Sequence, residues 1–206
     1  MDIESYLETL ASASPTPGGG SAAAIVASMG AALVAMVARI VAGNPKFAEQ
    51  HALAVDLIAK AEKLRERSLA ARHEDERAYG LVVSATALPR ATADEKTART
   101  AALQSAFAQA AAAPLAAAES AKLIATLAER ALALGNAHLI GDLGTAAELA
   151  AAAFASAAIN VRGNHIYMKD RALIEKQAAL LDRYEREIGT LVARVRFEVS
   201  RAFARV

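Results

Sequence analysis

Between residues 21 and 42 the chain reads SAAAIVASMGAALVAMVARIVA, with Arg39 as its one charge, whereas beyond about residue 170 apolar and charged positions interleave. Continuous apolarity predicts a helix surrounded by protein, and interleaving predicts one with a single covered face. In the last segment Ile174, Leu181, Tyr184, Ile188, Leu191, Val195, Val199 and Phe203 recur by three, four or seven, the pattern of a bundle or coiled-coil seam from about Asp170 to the end. Phe47, Leu53, Leu57, Leu64, Tyr79 and Val82 predict another long helix, begun by Asn44 as N-cap with Pro45 at its first position and stopped by Leu88-Pro89. Thr92 and Glu95 form a capping box for a helix whose pattern passes Pro114, with a kink or a break, and stops at Gly135-Asn136. An alanine-rich helix to about residue 166 and a short first helix over about residues 2 to 12 complete the set. Alternating β-branched runs are missing, so the expected fold is all-α: an up-and-down bundle of long helices in one domain over residues 1–206.

Composition narrows the partners. A net charge of +1 with 22% charged residues gives no basic footprint for nucleic acid and no acidic tail. The lack of cysteine excludes disulfides, thiolate metal sites and a cysteine nucleophile, and suits the cytoplasm. The start MDIESYLETL carries both signs of charge and no apolar core, so no secretory address is expected. Residues 21 to 42 are long enough to cross a bilayer, but their Ala, Gly and Ser insert weakly, and a buried bundle helix rather than a membrane span is expected. Abundant alanine gives each helix a thin side-chain layer, so a homodimer is expected to cover the remaining apolar surface.

The most unusual local sequence is Ser14-Pro15-Thr16-Pro17-Gly18-Gly19-Gly20-Ser21. Two prolines fix the backbone and three glycines strip it of side chains, so either a ligand or another helix approaches closely. The segment lacks both the P-loop and the G-x-G-x-x-G pattern and leaves a row of backbone amides at a helix start, suited to anions or carbonyl oxygens. No two of His51, His73, His138 and His165 form an i, i+4 pair with a neighbouring acid, so no metal site is expected. Within the charged run Arg72 to Arg77, Asp75 lies one turn before Tyr79 and can point inward while its neighbours face solvent. Asp142, in GNAHLIGDLGTA, is either the N-cap of a helix beginning near Gly144 or a general base or cation-orienting group. Asn136, Asn160 and Asn164 are amides in apolar surroundings that need partners, from another helix or from a ligand.

Together LASASPTPGGGSAAA (10 to 24), Asp75-Glu76-Arg77-Ala78-Tyr79 leading to Ala87-Leu88-Pro89-Arg90, Gly135-Asn136 leading to Gly141-Asp142-Leu143-Gly144-Thr145-Ala146, and Asn160-Val161 with Asn164 resemble the cyclodeaminase/cyclohydrolase family of folate enzymes. The resemblance implies an all-α homodimer with a tetrahydrofolate derivative among its helices and no further cofactor. It implies one of two reactions: hydrolysis of 5,10-methenyltetrahydrofolate to 10-formyltetrahydrofolate, or closure of 5-formiminotetrahydrofolate with loss of ammonia. A chain without a formiminotransferase domain, with Arg90 where the family usually has lysine, is expected to be the cyclohydrolase; the cyclodeaminase and a non-catalytic helical dimer are the alternatives. On this basis Asp142, then Asp75, are the candidate bases. Thr16, Pro17, Gly18, Gly19, Gly20, Ser21, Asn136, Asn160 and Asn164 are candidates to hold the pterin edge or a developing alkoxide, and Arg90 the glutamate tail.

Overall fold

Helix formers and helix caps decide the architecture. The computed structural model describes residues 2–204, and among them it has six α-helices and no strand. Helix α1, Ile3–Leu10, is capped by Asp2, whose carboxylate accepts from the Ser5 amide. Helix α2, Gly19–Ala42, is followed by α3, His51–Thr86, and by α4, Ala93–Ala131, with the expected capping box of Thr92 and Glu95. Helix α5, Ile140–His165, leads to α6, Arg171–Phe203, capped by Asp170.

Side-chain contacts fix the directions of these helices. Ser28 and Arg39 of α2 meet Arg65 and Glu62 of α3, so the two run antiparallel. Asp56 bonds Arg130 of α4, Ala110 of α4 bonds Asn164 of α5, and Glu148 of α5 pairs with Arg196 of α6. The result is an up-and-down bundle. Its core is a lattice of buried alanines filled by Val34, Val37, Val41, Leu57, Ile124, Leu134, Val161, Leu181 and Val195. At Gly30 an added Cβ would lie 3.2 Å from the Ala146 carbonyl oxygen and 3.3 Å from Ile124, so glycine there lets α2 nest against α4 and α5.

Several local expectations change. Pro45–Gln50 forms a 3-10 turn, in which Asn44 accepts from the Lys46 amide and Phe47 leaves helical backbone (φ −110°, ψ 34°), so the long helix starts at His51. Helix α5 already begins at Ile140, which puts Asp142 inside its first turn and not at the cap; Asn136 accepts from the His138 amide just upstream. Gly135, at φ +70°, provides the stop. Pro114, expected to kink or break its helix, is accommodated within an unbroken α4. By length and composition three helical stretches among the described residues could cross a bilayer, Gly19–Ala42, Ala93–Leu134 and Ala137–His165, where hydropathy along the sequence points to one. In the bundle they pack largely on one another. Outward, Met29, Met36 and Ile40 of α2 and Ile159 of α5 remain exposed.

Candidate active site

The glycine run opens α2 without a side-chain cap. The first helical bond is from the Ala22 amide to the Gly18 carbonyl, so the amides of Gly19, Gly20 and Ser21 have no acceptor within the helix. Alongside, a cleft of about 460 Å³ is lined by Thr16, Gly18, Gly19 and Gly20, by Asp75, Tyr79 and Val82 of α3, by Asn160 and Asn164 of α5, and by Phe107 and Tyr167. The Thr16–Pro17 peptide is cis.

Of the two readings of the glycines, close approach of other helices is what the structure shows, and those helices bring polar groups. A Cβ at Gly20 would collide with the Asp75 carboxyl, 2.5 Å from its Cγ, and one at Gly19 would lie 3.0 Å from Asn160 Nδ2. Asp75 does point inward. Burial lifts its carboxyl above the ordinary carboxylate range, the Ser21 amide pulls it partly back, and the charge of Glu76 adds to the rise. Among the described residues no Lys, Arg or His pairs with it.

Behind this carboxyl lies a compact polar network. Ser21, fully buried, donates to Glu76 Oε1 at 3.1 Å and lies 3.0 Å from the buried Tyr6 hydroxyl. The Arg72 guanidinium sits 5.4 Å over the Tyr6 ring, with its Nε 3.7 Å from Glu76. Glu76 therefore has its counter-charge, and the neighbouring Asp75 is the carboxyl turned to the cleft.

The two asparagines use their amide nitrogens on backbone. Asn160 Nδ2 donates to the Ser156 carbonyl at 2.8 Å; Asn164 Nδ2 donates to the Asn160 carbonyl at 2.9 Å and, across the helix interface, to the Ala110 carbonyl at 3.0 Å. Beside them Phe107 and Tyr167 stack with centroids 5.0 Å apart and planes inclined by 18°. Gln104 holds this wall in place, donating to the Tyr167 carbonyl and accepting from the Lys169 amide. Sequence reasoning missed Phe107 and Tyr167. A usable signal was present, since Phe107 is the one aromatic side chain in α4.

Thus Thr16, Gly18, Gly19, Gly20, Asp75, Asn160 and Asn164 meet in one cleft, with Pro17 and Ser21 buried just behind it. Arg90, Asn136 and Asp142 do not join them. Arg90 is exposed beyond the end of α3, and Asn136 lines a separate small pocket with Gly135 and Leu143. Asp142 lies eighteen residues before Asn160 on the same helix, about 27 Å along its axis.

The fold and cleft define a helical-bundle protein with a half-buried carboxyl, paired carboxamides and an aromatic wall converging on one small-molecule-sized space. A sequence model of formiminotransferase-cyclodeaminase matches residues 2–183, and the chain belongs to that family. It is 39% identical over 193 residues to the methenyltetrahydrofolate cyclohydrolase of Methylorubrum extorquens, covering 94% of this chain and 93% of that one. It is 30% identical to the formimidoyltransferase-cyclodeaminase of Rattus norvegicus over 94% of its length, spanning 36% of that longer protein. The crystal structure of formiminotetrahydrofolate cyclodeaminase from Thermotoga maritima has the same fold, with a TM-score of 0.87, 24% identity and coverage of 97% of this chain and 96% of that one.

Proposed function

We propose that this chain is a methenyltetrahydrofolate cyclohydrolase, adding water to 5,10-methenyltetrahydrofolate to give 10-formyltetrahydrofolate. The observation that carries the reading is the match to the Methylorubrum extorquens cyclohydrolase over nearly the full length of both chains. The cleft supplies suitable chemistry. The methenyl carbon is an electrophilic amidinium, so the protein's task is to place a water, take its proton and direct cleavage toward N5. Asp75 is the base: its raised carboxyl, once ionised, is a better proton acceptor than a surface carboxylate and has no cation to quench it. The hydroxyl oxygen bonds to the methenyl carbon; the C–N5 bond then breaks, N5 takes a proton, and the carbinol O–H gives up its own as the formyl C=O forms. One proton is released overall. Hydration of an amidinium neither oxidises nor reduces, so the proposal includes no redox cofactor and no metal.

Phe107, Tyr167 and Tyr79 offer flat apolar surface for the ring system, with the unsatisfied amides of Gly19 and Gly20 beside it. We also propose a homodimer, in which the exposed Met29, Met36, Ile40 and Ile159 are covered by a second copy. Light scattering at micromolar concentration is expected to give twice the mass of the chain, and a monomer would refute it.

The test is loss of the methenyl chromophore on adding purified protein to 5,10-methenyltetrahydrofolate, corrected for spontaneous hydrolysis. A parallel assay starts from 5-formiminotetrahydrofolate, because the relative in Rattus norvegicus is a cyclodeaminase. Appearance of the chromophore with ammonia there, and no activity in the first assay, would make the chain a cyclodeaminase. Silence in both would leave a non-catalytic helical protein.

A further inference from the structure

Pro114 lies in the interior of α4, where a proline removes one backbone N–H and crowds the carbonyl four residues earlier. That carbonyl belongs to Ala110. In this bundle it does not go unpaired, because Asn164 Nδ2 of α5 donates to it at 3.0 Å. The second hydrogen of the same nitrogen goes to the Asn160 carbonyl at 2.9 Å. Both partners are carbonyl oxygens and can only accept, so the nitrogen of the Asn164 carboxamide must face them. Its oxygen is thereby turned away. Asn160 has the same polarity, with Nδ2 bound to the Ser156 carbonyl at 2.8 Å. Both side chains line the cleft, neither Oδ1 accepts a hydrogen bond from the described residues, and neither is sealed from solvent.

We propose that Pro114 is a positioning residue that fixes the orientation of Asn164, and that Asn164 Oδ1 with Asn160 Oδ1 forms an acceptor pair recognising the N–H-rich edge of the ligand's heterocycle. The two oxygens present acceptors to the cleft, so the ligand edge that meets them carries donors: an amino-substituted ring fits, and a ring bearing only carbonyls there does not. The inference deepens the folate reading and rests on it, since a pterin has such an amino edge. It also gives the proline within α4 a use. An alanine at 114 would supply an N–H to Ala110 and set the Asn164 amide free to turn.

The experiment measures kcat and KM for 5,10-methenyltetrahydrofolate, and the affinity of tetrahydrofolate against an analogue whose 2-amino group is replaced by methyl. Pro114→Ala, which frees the Asn164 amide to turn, and Asn164→Leu, which removes its acceptor, are each expected to raise KM about fivefold, the value of one neutral hydrogen bond, with a much smaller change in kcat. Wild type is expected to prefer tetrahydrofolate over the desamino analogue by about tenfold, and Asn164→Leu to lose most of that preference. The melting temperature separates recognition from damage: Pro114→Ala improves helix propensity, so its KM is to rise without a fall in melting temperature. Unchanged KM in both substitutions, or undiminished discrimination in Asn164→Leu, overturns the proposal while wild-type turnover leaves the folate reading standing. A wild type that neither binds tetrahydrofolate nor turns over overturns both.

Discussion

Each end of α5 lies with glycines and an aspartate, and the two ends use them differently. At the C-terminal end Asn160 and Asn164 tie their nitrogens to backbone, leave their oxygens on a cleft, and face a glycine run that lets Asp75 approach. At the N-terminal end Gly141 and Gly144 admit α6: an added Cβ would lie 3.7 Å from the Phe203 ring or 3.2 Å from Val199 Cγ2. Glycines and an aspartate meet at both ends, from α5 itself at the first and from α2 and α3 at the last. What separates them is whether the close approach brings a polar side chain or an apolar one, because the first leaves unsatisfied groups for a ligand and the second completes a core.

The sharpest way to break that comparison is to neutralise each aspartate. Asp75→Asn is expected to lower kcat about 10²- to 10⁴-fold, the usual contribution of a positioned general base, and Asp142→Asn to change it by no more than about twofold. Equal losses would mean that the far end also serves the reaction. The same pair has a thermal signature. Because the folded-state pKa of Asp75 lies above its unfolded value, the stability linked to its proton is full below the unfolded pKa and is lost as pH rises through the folded one. Asp75→Asn should therefore melt above wild type at neutral pH, with the gap closing on acidification. Activity runs the other way, rising with pH as Asp75 ionises. A pH–rate profile with its acid limb at the ordinary carboxylate pKa would remove the assignment.

Glycine substitutions give a smaller contrast. At Gly20 a methyl group displaces the Asp75 carboxyl, and a misplacement on the order of 1 Å is enough to reduce kcat up to about 100-fold. At Gly135 the obstacle is the backbone, since φ +70° is strained for any residue with a Cβ. Gly135→Ala should cost about 1–2 kcal/mol of stability and leave kcat unchanged. Melting curves together with initial rates distinguish the two; a kinetic defect in Gly135→Ala would tie the stop of that helix to turnover.

Most of the bundle was legible because helix caps are local. Asp2, Thr92 with Glu95, and Asp170 act within three residues of themselves, and the apolar stripe of α6 states its own period. The site was legible where its residues share a segment, as in the glycine run, and where a charge broke an apolar face, as at Asp75. It was not legible where function depends on which helix end meets which. An up-and-down bundle makes α5 antiparallel to α2, but nothing in the spacing of Asn136, Asp142, Asn160 and Asn164 says that the two pack on each other, and that contact puts the last two beside Gly19 and takes the first two away. The accommodation of Pro114 was hidden for the same reason: its compensating donor lies fifty residues later on another helix.

The smallest effect tests packing at the two ends of α5 directly. Gly163 lies near the cleft, and a Cβ there meets nothing within 4 Å, so Gly163→Ala gains helix propensity without steric opposition and should stabilise by about 0.5–1 kcal/mol. Gly144→Ala gains the same propensity but pushes a methyl to 3.2 Å from Val199 Cγ2, inside ordinary contact distance, so α6 or the Val199 side chain must give way. The expected order of stability in urea is Gly163→Ala, wild type, then Gly144→Ala. If Gly144→Ala proved as stabilising as Gly163→Ala, α6 would not be held against the start of α5 as tightly as the packing indicates, and the contrast between an apolar end and a cleft end would rest on Asp75 and the asparagines alone.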